Sequence, residues 1–149
     1  MNNIIWTLKA FAELNPFELY QILRLRSEVF VVEQHCVFLD MDNLDAKSLH
    51  LQGRSDSELI AYVRILPPGL AYEEPSIGRV ITSPRARRTG AGKALMKKAI
   101  EETTSIYPNK SIKIGAQLYL KKFYEGFGFE QCSEIYLEDG IEHIKMLRK

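Results

Sequence analysis

The residues best suited to chemistry lie in one short stretch, Arg85-Ala86-Arg87-Arg88-Thr89-Gly90-Ala91-Gly92-Lys93. Three arginines and a lysine crowd around two glycines, and good helix formers follow from Lys93 onward. Glycine lets a backbone bend sharply or approach a ligand closely. A helix N-terminus adds unpaired amides and the positive end of the helix dipole. This combination predicts a site for a phosphate-bearing ligand. Two common phosphate patterns fail here. In G-x-x-x-x-G-K-[ST], the first glycine would fall on Arg87, and Lys93 is followed by Ala94. In G-x-G-x-x-G, the last glycine would fall on Leu95.

Other elements must hold this loop in place. Val80, Ile81 and Thr82 are β-branched and predict a strand, which Pro84 ends. Before it, residues 4–11 read as a strand with Ile4, Trp6 and Leu8 on one face. Asn15-Pro16 reads as a cap and first helical position. The helix runs to about residue 32 and turns Leu19, Ile22, Leu23, Arg26 and Phe30 toward a sheet. Residues 34–46 form a polar connection with Asp40, Asp42 and Asp45, without the glycine and final glutamate of an EF-hand. Residues 47–53 and 58–66 make a hairpin. Residues 93–106 make a helix, 111–116 a strand and 118–126 a short helix. Residues 131–137 and 141–146 make a last hairpin across Glu138-Asp139-Gly140. The order β-α-β-β-β-α-β-α-β-β implies a mixed sheet with helices on its faces.

Composition narrows the function. The 149 residues suit one domain spanning 1–149, and 46% hydrophobic content supplies a core. Lys plus Arg number 20 against 19 Asp plus Glu, so no broad basic face points to nucleic acid. The local basic cluster instead suits a small anion. Cys36 and Cys132 read as buried free thiols in a cytoplasmic protein, with one disulfide as the alternative, and no metal-type Cys/His spacing exists. Neither a leader at residues 1–6 nor an apolar run long enough to span a membrane is expected.

The segment Arg87-Arg88-Thr89-Gly90-Ala91-Gly92 does fit R-x-x-G-x-G after a strand. It resembles the diphosphate loop of the GCN5-related N-acetyltransferase (GNAT) superfamily. A second stretch, residues 114–129, resembles the later superfamily motif: a strand, a polar residue near its end, then a short helix carrying Tyr and ending in Gly-Phe. Residues 25–34 and 136–144 are similar to the ElaA-like branch. The resemblance implies a mixed α/β fold with a mostly antiparallel sheet of six to seven strands. That sheet would be splayed between strands 4 and 5 and flanked by about four helices.

The resemblance also implies acetyl transfer from acetyl-CoA to an amine of a small molecule or polypeptide, with no metal. Backbone groups of Val80, Ile81 and Thr82 would pair with the pantetheine arm. Arg87, Arg88, Thr89, Gly90, Ala91, Gly92 and Lys93 would hold the diphosphate. Gln117 stands where asparagine is common in the family, and Tyr124 where many members carry the general acid and meet the cofactor. An alkyl ammonium with pKa near 10.4 is neutral in only about one molecule in 2,500 at pH 7, so a base is needed. Glu33, His50 and His143 are the candidates, and also those for acceptor binding; Glu33 is named with Tyr124 as catalytic. His50 alternates with Leu49 and Leu51 in a strand, which equally suits a structural histidine. Asp40, Asp42, Asp45, Glu138 and Asp139 would either flank the acceptor cleft or form a solvated surface. Competing readings are a non-catalytic acetyl-CoA sensor or scaffold and a nucleotide- or nucleic-acid-binding module. No nucleic acid or membrane partner is expected, and the oligomeric state stays open, a homodimer included.

Overall fold

Alternating apolar residues build the first of two antiparallel sheets. The computed structural model describes residues 3–149, so the leader reading falls partly outside it, on Met1 and Asn2. β1 (Ile5–Ala10), β2 (Leu49–Ser55), β3 (Glu58–Leu66) and β4 (Ser76–Thr82) pair in that order. β2 and β3 join through Asp56-Ser57, both at positive φ, the conformation that matches the twist of a tight hairpin. β4 breaks register opposite Val63, and Arg79 there takes φ 51°, so β4 bulges in mid-strand.

Before the sheet closes, α1 (Pro16–Arg26) packs on one face of it. Its start is fixed locally: Asn15 Oδ1 accepts from the Glu18 amide at 2.8 Å, and Glu18 Oε1 accepts from the Asn15 amide at 3.0 Å. The expected helix to about residue 32 needs a correction. The α-helical turn stops at Arg26, and Ser27–Glu33 continue as a π-helix. Val29, Val31 and Val32 are β-branched and crowd the preceding turn, which the wider spiral relieves. The inward face becomes Ile22, Leu25, Arg26 and Val29. Ile22, Leu25 and Val29 pack on Leu59, Tyr62 and Ile81.

On the other face lies the main core. α2 (Ala91–Ile106) sets Leu95, Met96, Ala99 and Ile100 in one cluster with Ile60, Ile112, Ile114, Ile144 and Met146. The second sheet holds β5 (Ile112–Gln117), a 3-10 turn and α3 (Lys121–Glu125) that follow it, then β6 (Glu130–Gln131), β7 (Tyr136–Glu138) and β8 (Ile141–Arg148). β8 lies between β5 on one side and β6 and β7 on the other. The run expected as one strand over 131–137 is thus two short strands, so the described residues hold eight strands, close to the six to seven expected. The Ser133 hydroxyl accepts from the Lys145 amide at 2.8 Å, so a side chain replaces one rung of the ladder.

The two sheets touch at β4 and β5. The Lys113 amide donates to the Pro75 carbonyl at 3.1 Å, where both strands begin. Beyond that point no ladder joins them among the described residues. The splay expected between strands 4 and 5 is therefore present. Among the described residues, three α-helices and the π-helical segment stand for the expected four.

Candidate active site

The wide end of the splay is closed by the start of α2. Gly90 is its N-cap at φ 86°, a left-handed conformation that costs glycine little, and it offers no side-chain cap. The amides of Ala91, Gly92 and Lys93 therefore lack an intrahelical acceptor. No atom lies within 4 Å of a Cβ built on Gly90, and only the Thr82 methyl lies at 3.9 Å from one on Gly92. The helix start is thus an open, positively polarised cradle beside Arg87 and Arg88. Arg85 points elsewhere, to Glu58 at 2.8 Å.

A cavity of about 610 Å³ runs from this cradle between β4 and β5. Its walls include Val80, Ile81, Thr82, Arg87 and Gly92 on one side and Ile114, Gly115, Gln117 and Tyr124 on the other. Glu33, Gln34, Cys36, Phe38, Glu138, Asp139 and His143 line the rest. The outer edge of β4 carries backbone groups with no strand beside them, a place where an extended chain can pair.

Tyr124 is buried, edge-on to Phe123 and Phe129 with ring centroids 5.2 and 6.1 Å away. Burial, helped by Tyr119, pushes its phenol well above the usual range, so it stays protonated and can donate. His143 donates from Nδ1 to the Ile141 carbonyl, 2.8 Å away, which leaves the Nε2 lone pair available in the neutral ring. Glu138 Oε2 lies 3.6 Å from that Nε2.

A family model described as an acetyltransferase (GNAT) domain matches residues 27–149. The chain belongs to the GNAT family. Within it, the protein ElaA of Escherichia coli K12 is 43% identical over 148 residues, covering 98% of this chain and 97% of ElaA. The crystal structure of ElaA superposes with a TM-score of 0.93, covering 99% of this GNAT chain and all of ElaA's. An acyl-CoA N-acyltransferase of Pseudomonas aeruginosa gives 0.94 at 40% identity, covering 99% and 100% of the two chains. A GNAT acetyltransferase of Elizabethkingia anophelis, solved with acetyl-CoA bound, shares the fold at TM-score 0.67 and 16% identity, with 100% and 99% coverage.

Two side-chain bridges cross the cleft of this GNAT domain. Arg87 and Glu33 form a bidentate pair with both N···O distances at 2.6 Å. The hydrogen bonds from Arg87 hold the Glu33 carboxyl below the usual range, more than offsetting its burial. Next to it, Gln34 and Gln117 exchange amide hydrogen bonds at 3.2 and 3.4 Å. Residues at the end of the π-helix thus grip both walls.

The other sequence candidates separate. His50 is buried outside the cleft, its ring nitrogens 2.7 Å from the Tyr62 hydroxyl and 2.9 Å from the Asp45 carbonyl. It is a structural histidine, and it is set aside as a base or acceptor contact. Asp40, Asp42 and Asp45 are a correction: they neither flank the cleft as open acids nor form a solvated loop. Arg26 Nε meets Asp40 at 2.8 Å and Arg26 Nη1 meets Asp45 at 2.7 Å. Arg64 pairs with Asp42 and Asp45, and Arg79 lies 2.9 Å from Asp40. Cys132 is exposed rather than buried, and both thiols are free.

Sequence reasoning missed Arg79, Gln34 and Cys36 in the cleft wall. Only Arg79 left a trace, as a charge inside a β-branched strand. Arg26 showed one as well, standing within the apolar stripe of α1.

Proposed function

We propose that this GNAT domain, spanning 1–149, moves acetyl from acetyl-CoA to an amine of a small molecule or polypeptide. The observation that carries the reading is the continuity of one cavity from the uncapped start of α2 to Tyr124 and His143. Bound acetyl-CoA would supply the activated acetyl thioester. The amides of Ala91, Gly92 and Lys93, with Arg87, Arg88 and the Thr89–Gly90 backbone, bind the diphosphate. The open edge at Val80, Ile81 and Thr82 pairs with the extended arm, and Gln117 adds an amide at the end of β5. Tyr124, neutral and buried, holds the proton that the departing sulfur needs. His143 Nε2 takes the proton that the amine must lose. Glu33 is the second base, available once the diphosphate draws Arg87 away from it. Glu138 and Asp139 give this end of the cleft a negative rim that favours a cationic amine.

The near-neutral net charge of +1 argues against nucleic acid as a partner. Two thiols without a disulfide fit a cytoplasmic protein. Among the described residues, no helix is long and apolar enough to cross a membrane.

Release of free thiol from acetyl-CoA during a screen of amine acceptors tests the reaction. Thermal-shift measurements with acetyl-CoA, ATP and an oligonucleotide test the donor. Acetyl-CoA at a hundred times its Kd stabilises by about 2.7 kcal/mol. For a chain of this size, that raises Tm by about 5–10 °C. Stabilisation by ATP or the oligonucleotide alone would refute the proposal. Stabilisation by acetyl-CoA without turnover on any amine would favour the sensor reading.

A further inference from the structure

The face of β5 and β8 turned away from α2 carries a second cluster that the transfer chemistry does not use. Strand register sets Gly115 beside Lys145, and His143 beside both Gln117 and Tyr136. Gly115, lacking a Cβ, leaves room in this row that two side chains fill. A Cβ built on it would sit 3.0 Å from the Tyr72 hydroxyl and 3.1 Å from the Tyr136 hydroxyl. Two phenols, one from the β3–β4 connection and one from β7, therefore converge over one bare Cα. Lys113 Nζ lies 5.3 Å from the Tyr72 ring centre, and Lys145 Nζ lies 5.6 Å from the same centre and 5.8 Å from that of Tyr136.

The cluster is short of partners. Among the described residues, neither lysine forms an ion pair, each meeting only tyrosine ring faces, and neither hydroxyl has a hydrogen-bond partner, although all four residues are half-buried. Arg26, Arg64 and Arg79, buried to a similar or greater degree, each pair with carboxylates. Two ammonium groups held against one ring repel each other, and an anion within reach of both would relieve that cost. The Tyr72 phenol is pushed up to about 12, chiefly by burial and then by Tyr136 and Glu138, so it is a donor at neutral pH. Charge-assisted hydrogen bonds from phenols and ammoniums are what a carboxylate needs.

The cluster borders the cleft: Gly115 and His143 line that cleft, and the His143 ring lies 5.9 Å from the Tyr136 ring. Glu138, beside His143, supplies an opposite charge a short way along the same surface. Resting on the transferase reading of this cleft, we propose that Lys113, Lys145, Tyr72 and Tyr136 bind a carboxylate of the acetyl acceptor. The acceptor is then an amino acid or similar compound, with its amine at His143 and Glu138 and its carboxylate at the two lysines and two phenols.

Product binding tests this without requiring turnover. The probes are N-acetylglycine, N-acetylglycinamide and acetate, titrated into the labelled protein while the Gly115 and Lys145 backbone amides are followed by NMR. N-acetylglycine should shift both amides saturably and bind about tenfold or more tightly than either other probe. Lys145→Met should erase that preference and Lys145→Arg should keep most of it. Tyr136→Phe, which keeps the ring, should weaken the preference and serves if Lys145→Met does not fold. Equal binding of acid and amide, shifts centred elsewhere, or a preference that survives Lys145→Met would overturn the proposal. So would acetate binding as tightly as N-acetylglycine, which would mark a free-anion site. Thiol release with amines but no carboxylate preference would overturn this inference alone. A carboxylate preference without thiol release from any amine would leave the subsite standing and remove the transferase reading.

Discussion

At the scale of single residues, Tyr124 and Glu33 have opposite settings. Tyr124 is kept neutral by burial, which suits a donor. Glu33 is kept ionised by Arg87, which ties up the arginine beside the start of α2. Tyr124→Phe keeps the ring that packs on Phe123 and Phe129 and removes only the hydroxyl. It should lower kcat by about 10²–10⁴-fold, the usual size of a lost general acid, with the Kd for acetyl-CoA changed less than about twofold. Unchanged turnover would take Tyr124 out of the mechanism. Glu33→Gln should have the reverse effect on binding. The pair is about 40% exposed on both sides, so its contribution is small, up to about 1 kcal/mol. Freed from it, Arg87 should bind acetyl-CoA up to about fivefold more tightly by calorimetry. Affinity that is unchanged or weaker would mean that the bridge does not compete with the diphosphate. A kcat that stays at the wild-type level would leave His143 as the base.

At the scale of elements, the π-helix and the connection after it depend on one buried arginine. Arg26 is the last residue of α1 and is fully buried, holding Asp40 and Asp45 from a segment with little regular structure of its own. Arg26→Met keeps most of the volume but removes a buried partner from both carboxylates, leaving Asp40 to Arg79 and Asp45 to Arg64. Urea unfolding should show a loss of about 3–5 kcal/mol, as expected when one partner of a buried ion pair is removed. Adding Asp45→Asn should recover part of it, and strict additivity would show that the two do not act together. This element also marks where sequence reading stopped. The α2 loop was legible because its signals are local: a strand, a proline, two glycines and a helix within twenty residues. The cap of α1 and the Asp139-Gly140 turn were legible for the same reason. The meeting of Arg26, Arg64 and Arg79 with three aspartates joins residues far apart in the chain, so each charge alone resembled surface. The Gln34–Gln117 bridge and the convergence of Tyr72 and Tyr136 over Gly115 are tertiary in the same way.

At the scale of the whole molecule, the charged groups that hold the first sheet to α1 predict how stability follows pH. Burial alone would push up the Glu18, Asp42 and Asp45 carboxyls. Hydrogen bonds from Asn15, Lys9 and Gln52 to Glu18, and from Arg64 and Arg26 to the aspartates, more than offset it. Glu18 comes down to about 2. A group whose folded value lies below its unfolded one binds fewer protons when folded, so acid favours unfolding. The contribution of these carboxylates is whole above the ordinary range near 4 and is lost as pH falls toward the folded values. His50 acts in the same direction at higher pH. Burial, with repulsion from Arg26 and Arg64, lowers it despite the Asp45 carbonyl, so the neutral ring is the folded form. Its contribution is whole above about 6.5 and fades as pH falls through the unfolded value toward the folded one. Tm measured from pH 8 to pH 3 should therefore be level at first, bend downward near about 6.5, and fall more steeply below about 4.5. His50→Gln, which offers the Tyr62 hydroxyl and the Asp45 carbonyl a neutral partner, should remove the upper bend and keep the lower one. An upper bend that persists in His50→Gln would place that titration on another group and return His50 to a passive place in the core.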